Sequence, residues 1–136
     1  MKQSLLLHND VREIPALAEF VESIAESAGV DPALSMSLNL AMEEAVTNVM
    51  MYAYPEGQEG LVEVEADGDG SRIVFVIRDS GMPFDPTAAP ETDITLGIED
   101  RPIGGLGIFL VRQIMDSVEY VRAGDRNILK LTKNIT

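Results

Sequence analysis

Three short stretches of the chain gather residue types that can do chemistry. In Glu43-Glu44-Ala45-Val46-Thr47-Asn48, Glu44 and Asn48 stand four apart, so on a helix their side chains share one face, a turn from each other. The surrounding residues are mostly apolar, and a carboxylate there is costly unless a metal, a water network or a polar cleft receives it. A carboxamide oxygen suits a hard cation such as Mg²⁺, and a carboxylate can orient or deprotonate a nucleophile. The same spacing also fits a polar stripe on an amphipathic helix. The second stretch, Asp79-Ser80-Gly81-Met82-Pro83-Phe84-Asp85-Pro86, follows an apolar run at 73–77. An aspartate at a strand end can accept a hydrogen bond from an exocyclic amine such as adenine's, and Gly81 lets a flat base approach the backbone. The segment reads equally as an Asp-Ser-Gly turn. The third, Gly104-Gly105-Leu106-Gly107-Ile108, leads into a helical pattern. Its free N–H groups would sit at the positive end of that helix, a natural phosphate site. No Gly-Lys-Ser/Thr follows, and the third glycine of a dinucleotide fingerprint is missing.

These groups need elements to hold them. Residues 3–7 form an apolar run of strand length. Asp10 and Glu13 have capping-box spacing, and apolar residues at Ile14, Leu17, Ala18, Val21, Ile24, Ala25 and Ala28 mark one helix face, which Gly29 terminates. Asp31-Pro32 opens a second helix that runs to about Tyr54 and stops at Pro55. Apolar residues cover most of its circumference, which predicts burial. Residues 61–65 and 73–77 read as a hairpin turning at Asp67-Gly68-Asp69-Gly70. Residues 87–102 have weak periodicity and read as a mobile lid. A helix is expected over 108–115, then a hairpin of 118–121 and 128–131 turning at Ala123-Gly124-Asp125. The order β-α-α-β-β-α-β-β predicts one domain over 1–136. Its expected fold is an α/β (α+β) two-layer sandwich: a mostly antiparallel mixed sheet with about three helices on one face.

The composition narrows the chemistry. There is no cysteine, so thiolate nucleophiles, disulfides and Cys-based zinc sites are excluded. The single histidine, His8, cannot build a multi-histidine metal site and reads as a strand residue without chemistry. The net charge of −13 argues against a nucleic-acid partner. It fits a basic protein partner as well as plain solubility. No apolar run approaches the roughly 18–20 residues a membrane span needs, and Leu5-Leu6-Leu7 is too short for an export signal, so the cytoplasm is the expected location. The seven methionines read as gap-filling core, and Arg112 as reaching solvent.

In this order, the three stretches resemble the GHKL superfamily of Bergerat-fold ATPases and kinases, which includes gyrase-type ATPases, heat-shock chaperones and histidine kinase catalytic domains. Glu-Glu-Ala-Val-Thr-Asn-Val-Met-Met-Tyr-Ala-Tyr is similar to its N box, Asp-Ser-Gly-Met-Pro-Phe-Asp-Pro to its first glycine box, and Gly-Gly-Leu-Gly-Ile-Phe-Leu-Val-Arg-Gln-Ile-Met-Asp to its second. The Pro-Phe-Asp-Pro form and the run from Gly104 to Asp116 are most similar to the anti-sigma factor serine/threonine kinase branch, and the resemblance covers essentially the whole chain. It implies ATP and Mg²⁺ as cofactors, Asn48 as the Mg²⁺ ligand and Glu44 as the catalytic base. It also implies that Asp79 contacts the adenine amine with Gly81 beside the base, and that Gly104, Gly105, Leu106, Gly107 and Ile108 hold the phosphates. The implied partners are a STAS-type anti-anti-sigma protein, phosphorylated on Ser or Thr, and a sigma factor that is sequestered. The implied assembly is a homodimer. Three positions depart from the pattern: Tyr52 where many relatives have histidine, Pro83 where the wider superfamily has a second glycine, and Arg101, which does not align securely with a phosphate-contacting arginine. Two other readings remain open: a non-catalytic nucleotide-dependent regulatory binding protein, and a free-standing histidine-kinase-type ATPase domain.

Overall fold

The computed structural model describes residues 2–88 and 105–135, the Leu106 side chain excepted. Among the described residues, five strands and three helices follow one another as β1 (Lys2–His8), α1 (Ile14–Ser27), α2 (Pro32–Tyr52), β2 (Leu61–Gly68), β3 (Arg72–Asp79), α3 (Gly105–Ile114), β4 (Ser117–Ala123) and β5 (Arg126–Asn134). The strands form one sheet in the order β1-β2-β3-β5-β4, and all four neighbouring pairs are antiparallel. This is the expected α/β sandwich.

Alternation decides which residues meet the helices. Val62, Val64 and Ala66 of β2, Ile73, Phe75 and Ile77 of β3, and Leu129 and Leu131 of β5 are buried on one face. Between them, Glu63 and Glu65 turn to the other face, where the Arg78 guanidinium donates to both at 2.9 and 3.1 Å. The inward set joins Leu17, Val21 and Ile24 of α1, Leu38, Met42, Val46 and Val49 of α2, and Ile108 and Val111 of α3 in one core. Each fully buried Leu, Val, Ile or Phe contributes about 1.5–3 kcal/mol relative to exposure. α2 packs against both α1 and α3, which explains why its apolar residues run most of the way round. Its start is fixed by Asp31, whose carboxylate accepts the Leu34 N–H at 2.8 Å.

One row crosses the sheet at the end nearest the candidate site. Asp79 lies opposite Val62 on one side and Asn127 on the other, and Asn127 lies opposite Arg122. All face the helices, so the pleat itself sets three polar side chains beside one another.

Several local expectations shift. The Asp10 carboxylate caps a short 3₁₀ turn, Val11–Glu13, ahead of α1. Glu13 accepts the His8 N–H, and the Asp10 N–H is taken by the His8 carbonyl at 2.8 Å, so no capping box forms. α2 ends at Tyr52 and not Tyr54. α3 begins at Gly105, which puts Gly105 and Gly107 inside its first turn instead of before it. Met42, Met50 and Met115 fill the core, but Met36, Met51 and Met82 are exposed. Most of the expected lid, Gly104 and Arg101 lie outside the described residues.

Candidate functional site

α2 carries Glu44 and Asn48 one turn apart. Asn48 is 8% exposed and Glu44 half-buried. The first turn of α3 lies directly on them: a Cβ added to Gly107 would stand 3.0 Å from Asn48 Nδ2 and 3.0 Å from Glu44 Oε2. With no Cβ at Gly107, the two side-chain ends have room directly beside the helix backbone. The structure therefore brings two of the three stretches into contact.

Among the described residues, neither the Glu44 carboxylate nor the Asn48 carboxamide has a hydrogen-bonding partner. A nearly buried carboxamide with no partner among the described residues costs on the order of 1–3 kcal/mol, and a ligand oxygen or cation could relieve that cost. The donor set fits Mg²⁺. No cluster of three or more His, Cys, Asp or Glu side chains occurs among the described residues, so no all-protein cage is offered. Mg²⁺ typically takes one or two protein oxygens and completes its shell with water and phosphate oxygens. The first four N–H groups of α3, at residues 105–108, lack intrahelical acceptors and provide the complementary anion site. Ile108 can contribute only its backbone, because its side chain is in the core.

The other stretch is fastened to the C-terminal end of α2. Gly81 is buried; a Cβ there would come 2.3 Å from the Ala53 carbonyl oxygen, which accepts the Met82 N–H at 2.7 Å. The glycine is thus required by the protein's own packing. Tyr54 adds a second fastening: its hydroxyl donates to the Leu61 carbonyl at 2.6 Å and accepts the Ser80 N–H at 3.0 Å. Tyr52 packs on Phe84, with ring centroids 5.7 Å apart and planes tilted by 42°. The aromatic residue at that departure therefore has a packing role against the Pro-Phe-Asp-Pro segment, whose Pro83 is exposed.

Asp79 ends β3 and is 4% exposed. Its Oδ1 accepts from the Gly81 N–H at 2.8 Å and from Asn127 Nδ2 at 2.9 Å. Burial pushes its pKa above the ordinary carboxylate value; the Asn127 amide, the Gly81 N–H and the Arg122 charge pull the other way. Among the described residues no donor reaches Oδ2. Asn48 lies five residues before Ala53, the residue that caps the end of α2, about 7.5 Å along the helix axis.

Four residues of this half escaped the sequence reading: Tyr54, Tyr120, Arg122 and Asn127. Asn127 had a usable signal. It occupies the inward parity of Leu129 and Leu131, where a carboxamide is out of place in a strand unless something is built around it. Arg112 is exposed, as expected, and its Nη2 also donates to the Thr87 carbonyl at 2.6 Å, tying α3 to the residue where the expected lid begins. His8 does no more than close β1 onto Glu13. A groove of about 850 Å³ lined in part by Val11, Met51, Tyr54 and Glu59 contains none of Glu44, Asn48, Asp79 and Gly107.

Comparison with known proteins bears on what this geometry serves. Residues 7–133 match the family model described as the histidine kinase-like ATPase domain. The serine-protein kinase RsbW of Halalkalibacterium halodurans is 32% identical over 131 residues, covering 88% of this chain and 79% of that protein. RsbW of Bacillus cereus is 28% identical over 134 residues, 90% of this chain and 82% of the other. The serine/threonine-protein kinase BtrW of Bordetella bronchiseptica is 28% identical over 101 residues, 74% and 71% respectively.

Proposed function

The chain belongs to the histidine kinase-like ATPase domain family, and from that premise we propose that it is a Mg·ATP-dependent serine/threonine protein kinase of the anti-sigma factor type. The observation that carries the reading is the approach of Gly107 to Glu44 and Asn48. It sets a carboxylate, a carboxamide with no partner among the described residues, and a helix N-terminus around one small space. In that arrangement Asn48 would hold Mg²⁺, which would supply neutralisation of phosphate charge. The N–H groups of residues 105–108 and Gly104 receive phosphate oxygens. Asp79 Oδ2 accepts from the adenine amine, beside Gly81. Glu44 orients the acceptor hydroxyl and takes its proton as the hydroxyl oxygen bonds to the γ-phosphorus and ADP leaves.

The acceptor is a Ser or Thr on a separate STAS-type anti-anti-sigma protein, and a sigma factor is the binding partner held when that protein is unavailable. The relatives' names as serine and serine/threonine kinases support the transfer chemistry. The charge of −13 supports recruitment of a basic protein region. The remaining elements of the reading are a homodimer, a cytoplasmic location and no nucleic-acid or membrane partner. None of the described helices is long and apolar enough to cross a membrane.

The test is to mix the purified protein, Mg·ATP and the STAS protein of the same organism, then look for an acid-stable mass gain of one phosphate on Ser or Thr. ATP binding without transfer would leave a nucleotide-dependent regulatory binder. An acid-labile product would point to histidine chemistry.

A further inference from the structure

Asn127 is 3% exposed and uses its whole hydrogen-bonding capacity inside the protein. Its Oδ1 accepts the Phe84 N–H at 3.1 Å and the Tyr120 hydroxyl at 2.5 Å. Its Nδ2 donates to Asp79 Oδ1 at 2.9 Å and to the Met82 carbonyl at 2.8 Å. This network fixes which end of the amide is which: reversing it would set an NH₂ group against the Phe84 N–H and an amide oxygen against the Asp79 and Met82 oxygens. It also decides what Asp79 offers. Oδ1 has two donors, from Gly81 and Asn127, while Oδ2 has none among the described residues. The carboxylate plane is held by one oxygen and the other is left for a ligand. The same side chain holds the loop at Met82 and Phe84, and Arg122 Nη1 grips the Gly81 carboxyl-side oxygen, its backbone carbonyl, at 2.9 Å.

We propose that Asn127, braced by Tyr120, is the positioning residue that aims Asp79 and so makes the site prefer a purine with a 6-amino group over one with a 6-oxo group. The inference rests on the reading that Asp79 Oδ2 accepts from that amine. A 6-oxo purine presents an acceptor where the amine would be, and opposes Oδ2. Discrimination requires Oδ2 to stay in place; a carboxylate free to rotate could turn away and tolerate either base.

The experiment compares two variants of nearly equal shape that differ in one donor. Asn127→Thr keeps a hydroxyl able to donate to Asp79, whereas Asn127→Val has none, and both suit a strand. Binding of ADP and of inosine 5′-diphosphate, each with Mg²⁺, is measured by calorimetry. The unaltered protein should favour ADP by roughly 10- to 100-fold, the scale of one charge-assisted hydrogen bond. Asn127→Val should lose most of that ratio and Asn127→Thr should keep it. If Asn127→Val retains the full ratio while binding both nucleotides more weakly, Asn127 is merely structural and the proposal falls. A ratio near one in the unaltered protein, or one unmoved by Asp79→Ala, would instead overturn the adenine reading of Asp79. Should Asn127→Val fail to fold, the Asn127 side-chain NH₂ resonances of the unaltered protein decide. They should take different positions with ADP and with the inosine nucleotide, and identical positions would overturn the proposal.

Discussion

The two halves of the site are built in opposite ways along one helix. At the C-terminal end of α2, Gly81 presses on Ala53, Tyr54 spans Leu61 and Ser80, and Asn127 joins Asp79 to Met82 and Phe84. Nearly every polar group there has a protein partner. One turn and more earlier, Glu44 and Asn48 lie under Gly107 with no partner among the described residues. The first half is organised by folding, so changes there should disturb stability and base recognition together. In the proposed function the second leaves its polar groups for the nucleotide and cation, so changes there should disturb chemistry and spare the fold.

The sharpest way to break that contrast is Glu44→Gln, which keeps size and removes basicity. Phosphoryl transfer should fall by about 10²- to 10⁴-fold, the usual reach of a general base. ADP affinity and the thermal unfolding midpoint should stay near those of the parent. Asn48→Ala should differ, weakening nucleotide binding only when Mg²⁺ is present. An equal loss of ADP binding in both variants would make the pair structural and erase the distinction between the halves.

Two glycine substitutions test the contrast at a smaller scale. In Gly81→Ala the new methyl meets the Ala53 backbone oxygen at 2.3 Å, which cannot swing aside. Overpacking of this kind costs about 1–3 kcal/mol, so the denaturant midpoint should fall clearly. In Gly107→Ala the methyl meets only the ends of two side chains, at 3.0 Å. Alanine is favoured over glycine in a helix by about 0.8–1 kcal/mol, so stability should hold or rise. The methyl nonetheless fills the space between Asn48 and Glu44, and Mg²⁺-dependent ADP binding should weaken. Parental binding by Gly107→Ala would mean that the first turn of α3 does not close on the nucleotide.

The sequence carried the elements well where periodicity was strong. The 3.6-residue pattern from Ile14 to Ala25 and the strand alternation from Leu61 to Glu65 both mark elements the fold contains. The polar residues of α2 were legible because Glu44 and Asn48 interrupt an apolar helix. The braces were harder to see. Asn127 is 48 residues from Asp79, and only the pairing of β3 with β5 across α3 and β4 makes them neighbours. Local propensity contains no such information. The start of α3 was misplaced because glycines suggest loops, and here the close approach to α2 outweighs their poor helix propensity.

The smallest effect expected is a gain. Asp79→Asn keeps an oxygen that can accept from Gly81 and Asn127, and replaces the Oδ2 that has no described donor with NH₂. Burial raises the folded-state pKa of Asp79, so the folded protein binds this proton more tightly than the unfolded chain does. Ionised Asp79 therefore costs stability above its folded pKa, and that cost disappears as pH falls to the ordinary carboxylate range, where both states are protonated. Asparagine never pays it. Thermal melts of the free protein should show Asp79→Asn as the more stable form at neutral pH, with the difference shrinking as pH falls toward about 4. The gain should be smaller than the loss in Gly81→Ala. At neutral pH the same variant should bind ADP more weakly, because its NH₂ group opposes the adenine amine. Opposite signs for stability and affinity would mark Asp79 as a group the fold tolerates for its ligand, while a loss of both would mean that the buried carboxylate serves the loop first.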